Sequence, residues 1–284
     1  MRSTYRYLRL SMPLLGLVLA TAVIIQIFST QPRCWLGSIS AYYYTPARAV
    51  FVAALCAIGT ALVVFKASTT RADTALNLAG VGAFALALVP TPLKTIADDS
   101  DFEKCSRSNE PTSEQLSAAL NNNVLTLVIG ITVLAAAFWV CRVVIEEGHG
   151  QPNLRSVVAA TVLSAVVWVG YVWWHTADVS VRTVEKIGHS TGTVCLFVGI
   201  SFIIVAQLWP RLAVPRGTPR PPRSEGVYLA GYWASFAVLI LGAVIFVPLW
   251  LADKANGLFW FETTMISAFV LFWTLQTIED WGLD

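Results

Sequence analysis

Eight apolar runs lie at residues 10–28, 47–65, 74–92, 124–145, 157–174, 191–209, 227–251 and 258–278. Each is close to the roughly 20 residues that cross a hydrocarbon core of about 30 Å as a helix. Few folds are open to such a chain. Lipid offers a backbone amide no partner, so a spanning segment is a helix or a strand in a closed barrel. Barrel strands would read as segments of about ten residues alternating apolar and polar, and these runs do not alternate. Composition agrees, with 56% hydrophobic residues, 13% charged residues and a mean hydropathy of +0.65; a water-soluble domain carries about 25% charged residues. The expected fold is all-α, a polytopic transmembrane bundle of about eight spanning helices that forms one integral membrane domain over 1–284, multi-pass in the cell membrane.

Arg2, Arg6 and Arg9 precede the first run as they would precede a secretory signal. That run, about 19 residues, exceeds a usual signal core and no small-residue cleavage site follows Phe28, so it reads as a retained helix. A cytoplasmic N-terminus puts eleven of the nineteen lysines and arginines inside, including the basic flank of the first run and the loop "RLAVPRGTPRPPR". That is the bias of the positive-inside rule, and it predicts an N-in/C-in arrangement. The Pro/Arg-rich linker 210–226 separates helices 1–6, at 10–209, from a final pair at 227–278. Its prolines end the preceding helix, and its arginines set orientation or touch anionic headgroups.

On this map Cys34 and Cys105 fall in the first and second outside loops, while Cys56, Cys141 and Cys195 lie within runs as small apolar fillers. An oxidising exterior permits a Cys34–Cys105 disulfide, which spacing alone does not require. The acidic, turn-rich loop 93–123 reads as a solvated cap, or by its length a lid.

Two polar tracts stand out. "GSISAYYYTPARAVF" places Tyr42, Tyr43 and Tyr44 at the outer boundary, where rings with one wet end gather. Pro46 suits the first turn of the second helix, and Arg48 then snorkels to headgroups or turns inward. In "WWHTADVSVRTVEKIGHSTG", His175, Asp178, Arg182, Glu185 and His189 recur every three or four residues. On a continuous helix they form one polar stripe, either a solvated face or a donor of ionisable groups to a cavity. Ionisable groups at membrane depth cost about 2.5–3.5 kcal/mol on insertion scales and mark functional sites. Arg48, His175, His189 and Glu262, in "LFWFETTM", all fall on the outer half of the map.

His175 and His189 are 14 residues apart, about 21 Å on one helix at 1.5 Å per residue, too far to share a metal ion. No cofactor is expected. The chain lacks H-E-x-x-H, a phosphate-binding glycine loop, G-x-S-x-G and paired C-x-x-C. It carries no nucleic-acid signature, so the bilayer and a small polar or lipid ligand are the expected partners.

The tracts "GSISAYYYTPARAVFVAALCAIG", "NLAGVGAFALALVPT", "EKIGHSTGTVCLF" and "FWFETTMISAFVLFW" together resemble a family of bacterial multi-pass integral membrane proteins, a domain of unknown function. The resemblance implies that the regions around Ser38 to Arg48, Glu185 to His189, and Glu262 belong together. In those relatives an aspartate is expected after the arginine, whereas here Arg48 precedes Ala49. Seven-helix zinc hydrolases, the alkaline ceramidases and the progestin and adiponectin receptors, are a more distant comparison. Their pattern needs a histidine pair four apart, and this chain has only His149, His175 and His189.

Three function classes follow. The preferred one is a non-enzymatic receptor- or carrier-like bundle, its outside-facing cavity lined by Tyr42, Tyr43, Tyr44, Arg48, His175, Asp178, Glu185, His189 and Glu262. A metal-dependent lipid hydrolase with Ser38 or Ser40 near its water, and a structural subunit of a membrane complex, are the alternatives.

Overall fold

A computed structural model describes residues 2–29, 33, 35–67, 69–92, 113–140, 154–177, 179–212, 223–252 and 256–281. Among them are eight α-helices: α1 (Arg2–Ser29), α2 (Arg48–Val64), α3 (Thr70–Leu88), α4 (Ser113–Val140), α5 (Leu154–Thr176), α6 (Val181–Leu212), α7 (Arg223–Leu251) and α8 (Gly257–Trp281). A 3-10 helix, Ile39–Tyr44, precedes α2. The described residues contain no strand. Each apolar run coincides with one α-helix. Five stretches, Arg6–Ser29, Ser117–Ala137, Val181–Trp209, Gly226–Leu251 and Gly257–Glu279, are long and apolar enough to cross a bilayer; α2 is apolar but only 17 residues long. Cys34, Cys105, Cys141, His149 and Asp178 lie outside the described residues, as does most of the Pro/Arg-rich linker.

Helix ends differ from the sequence reading where a cap competes with apolarity. The run at 191–209 begins ten residues after α6 does, because Ser180 caps the helix: its Oγ accepts from Thr183 N–H at 3.3 Å. Residues 182–189 are thus early turns of α6 and not loop. The polar stripe is broken, however. His175 lies in the last turn of α5, which ends at Thr176, and Arg182, Glu185 and His189 fall on α6, which begins at Val181. Pro46 likewise precedes α2 and lies outside its first turn. Thr45 shapes that entry, its Oγ1 accepting from Ala47 N–H at 3.2 Å and donating to Tyr42 O at 2.8 Å.

The chain forms two compact units, 1–110 with 189–284, and 111–188. In the first, α1 runs antiparallel to α8. Arg6 lies 5.4 Å over the Trp281 ring, Tyr7 packs edge-on to the same ring at 6.3 Å, and a Cβ on Gly16 would meet Val270. Both chain ends of this unit therefore share one end of the bundle. Arg9 lies there too, buried, 4.8 Å over Phe65, whose ring packs edge-on against the fully buried Trp273.

Small residues bring the helices close. A Cβ on Gly59 would stand 2.9 Å from Gly80 O, joining α2 to α3. One on Gly82 would stand 2.6 Å from Gly192 O, and one on Gly199 2.6 Å from Ala75 O, joining α3 to α6. In lipid, apolar burial between helices gains little over contact with acyl chains, so close van der Waals approach of backbones carries the packing. The exposed pair Lys66–Asp73, at 3.1 Å, adds little. Lys66→Ala is expected to cost under about 1 kcal/mol in thermal unfolding in detergent, and a larger loss would show that the α2–α3 turn depends on it.

The 111–188 unit pairs α4 with α5. Trp168 Nε1 donates to Thr132 Oγ1 at 2.9 Å across that pair. Its outer surfaces are apolar, with Val133, Leu134, Val166 and Val169 exposed, as lipid-facing helices require.

Candidate functional site

At the end of the 1–110/189–284 unit away from its termini, a polar tract closes on α8. Ser38 begins it in an extended conformation and caps the 3-10 helix, its Oγ accepting from Ser40 N–H at 3.1 Å. That tight turn aims three donors the same way. Ser38 Oγ (2.9 Å) and Ile39 N–H (2.5 Å) donate to Glu262 Oε2, and Ser40 Oγ donates to Oε1 (2.9 Å). Glu262 is only 7% exposed. A second strap runs the other way, Phe259 N–H donating to Gly37 O at 2.9 Å. The amide at the start of α8 is one of those a helix leaves unpaired, and here the loop supplies its acceptor.

Two of the three tyrosines, Tyr42 and Tyr43, are buried within the protein. Tyr42 is fully buried, its hydroxyl accepting from Leu36 N–H at 3.2 Å and its ring 6.5 Å from Phe259. Tyr43 is buried too. Its hydroxyl accepts from Arg48 Nη2 at 2.7 Å while the guanidinium sits 4.4 Å over the ring, a hydrogen bond and a cation–π contact from one side chain. Tyr44 donates to Thr91 O at 2.7 Å. Two residues earlier on that segment, Val89 O stands 3.1 Å from His189 Nδ1. Tyr42, Tyr43, Tyr44, Arg48, His189 and Glu262 thus gather at one end of one unit, each held by a different contact.

His175 and Glu185 belong to the 111–188 unit. Glu185 is 3% exposed, and among the described residues its Oε1 has no hydrogen-bond partner. His175 is exposed and borders a cleft of about 500 Å³. Ser117, Asn121 and His175 supply its polar edge; Ala118, Trp174, Val179 and Val181 supply the apolar part. The His175 ring packs on Tyr171 at 4.5 Å and on Trp174 at 4.8 Å, and Trp174 Nε1 donates to Val179 O at 3.1 Å.

Ser117 and Asn121 were not singled out in the sequence, although "NNN" at 121–123 inside an apolar helix was a signal. Val89 O and Thr91 O left none, because a carbonyl acceptor has no residue signature. Among the described residues, no three His, Cys, Asp or Glu side chains are grouped to hold a metal ion. No family model, curated protein or solved structure matches the chain.

Proposed function

We propose that the chain is an eight-span, N-in/C-in protein of the cell membrane that works as a non-enzymatic receptor- or carrier-like bundle. It responds to a small polar or lipid-headgroup ligand where Glu262 holds the 36–48 tract. Membership of the bacterial multi-pass family it resembles is part of this reading. The observation that carries it is Glu262 itself, a carboxylate buried in a helix long and apolar enough to span. Such a group is costly and is kept at functional positions. Its three side-chain and backbone donors all come from Ser38, Ile39 and Ser40. A ligand that offers its own oxygens to the two serines competes with Glu262 and loosens the tract. The shared end of the two termini fits an even number of crossings.

Orientation is tested with single cysteines in a cysteine-free background on intact cells. Pro46→Cys is expected to react with an impermeant maleimide and Arg216→Cys only after permeabilisation; the opposite pattern overturns the map. Ligand response is tested in nanodiscs by hydrogen exchange over residues 39–48. Glycerol 3-phosphate, phosphocholine, phosphoethanolamine and acetate are the probes. At least one is expected to speed exchange there, and exchange indifferent to all four overturns the binding reading.

A further inference from the structure

The cleft of the 111–188 unit shares no described residue with the Glu262 cluster and has its own chemistry. Its described lining carries a hydroxyl, an amide and an imidazole, and no Asp, Glu, Lys or Arg. A charged ligand seated there would lose water without gaining a counter-charge. A hydrocarbon would cover three hydrogen-bonding side chains without satisfying them. The volume of about 500 Å³ is that of a small-molecule site. Its polar edge is also preset. The Tyr171 hydroxyl stands 3.5 Å from Asn121 Oδ1, so the amide turns its NH₂ away from Tyr171, and the His175 ring is wedged against Tyr171 and Trp174. The apolar atoms of Ala118, Val179 and Val181 complete the lining.

We propose that this cleft binds a neutral polyhydroxyl group, a sugar or polyol, whose hydroxyls pair with Ser117, Asn121 and His175 while its C–H face rests on the apolar side. Two sources carry that chemistry, a glycolipid headgroup and a free sugar. The last turns of α5 hold Trp168, Tyr171, Trp173 and Trp174, the aromatic belt of a membrane boundary, which favours the lipid-borne source.

The test reads hydrogen exchange at residues 117–121 and 174–181 in phosphatidylcholine nanodiscs. One arm adds glucosyl diacylglycerol to the bilayer and a second adds methyl β-glucoside to the buffer. Phosphatidic acid, charged but without a polyol, is the control. Exchange is expected to slow with the glucolipid; slowing by methyl β-glucoside as well assigns recognition to the sugar alone. Asn121→Ala and His175→Ala, both at exposed positions, are each expected to weaken half-saturation roughly 3- to 10-fold. Unchanged exchange over residues 124–140 of α4, in the same unit, serves as the check on folding. Slowing by neither glucoside, equal slowing by phosphatidic acid, or indifference of both variants overturns the proposal. None of these readouts involves residues 39–48, so the cleft and the Glu262 cluster fail or stand separately.

Discussion

Glu262→Leu is expected to free the 3-10 helix Ile39–Tyr44, raising amide exchange there by about 100- to 1,000-fold while exchange in the middle of α2 stays near its native rate. The leucine fills the space but accepts nothing. Ser38 Oγ, Ile39 N–H and Ser40 Oγ, now on Glu262 at 2.5–2.9 Å, would be left buried without an acceptor. Hydrogen bonds to a charged group contribute about 1.5–3 kcal/mol each, and a stranded buried donor costs about 1–3 kcal/mol. Losses in one network do not add, so about 3–4 kcal/mol of local stability is a reasonable total. Glu262→Gln is the milder change. Its oxygen still accepts from Ser38 and Ile39, and its NH₂ donates to Ser40 Oγ, since a hydroxyl accepts as readily as it donates. Exchange should then rise no more than about tenfold. Adding Ser40→Ala to Glu262→Leu removes one stranded donor while keeping the Ser38 cap, and should recover part of the protection, because deleting both partners costs less than deleting one. If Glu262→Leu leaves Ile39–Tyr44 protected, the carboxylate does not hold the tract and the functional reading loses its support.

The same cluster shows how far a sequence can be read. Eight apolar runs became eight helices because the requirement is local: a backbone in lipid pairs with itself, and about 20 apolar residues in a row declare it. Ends were less legible, since a single hydrogen bond decides them. Ser180 starts α6 well before the apolar run, and Thr45 moves the start of α2 past Pro46. That Glu262 carries weight was legible from its cost. Its partners were not, because Ser38 and Glu262 are 224 residues apart and nothing in either segment states a distance. Amphipathic rings suit the tyrosines to a membrane boundary or to a cavity lining, and do not say which groups their hydroxyls meet. The structure places Tyr42 and Tyr43 inside, where their hydroxyls accept from Leu36 N–H and from Arg48. His175 and His189 share a helical spacing in the sequence, but α5 ends at Thr176 and α6 begins at Val181, so no one helix carries both.

The glycines were the least legible feature and carry the second large effect. Gly82→Ala is expected to destabilise the protein by about 3 kcal/mol, whereas Gly130→Ala should change stability by less than about 1 kcal/mol. Both are helical glycines in apolar surroundings. What separates them is the partner. A Cβ on Gly130 meets nothing within 4 Å. One on Gly82 lands 2.6 Å from Gly192 O, 2.6 Å from Leu196 N and 3.0 Å from Cys195 Cβ. Two of those three atoms are backbone, so no rotamer change relieves the clash and α3 must move from α6. The contact is mutual, a Cβ on Gly192 falling 2.8 Å from Ala85 Cβ and 3.1 Å from Gly82 O. Seven residues on, Gly199 repeats it with Ala75 O at 2.6 Å and Ala79 Cβ at 2.7 Å. Parting the helices at Gly82 therefore also weakens the contact at Gly199, and with little hydrophobic gain between helices in lipid, lost dispersion has no substitute. Thermal unfolding in a mild detergent reads the difference, at about 2–4 °C in Tm per kcal/mol for a chain of this size. Equal midpoints for Gly82→Ala and Gly130→Ala would mean that α3 and α6 do not cross backbone to backbone, and His189, two turns from Gly82's partner on α6 at most, would then lose its fixed place beside Val89 O.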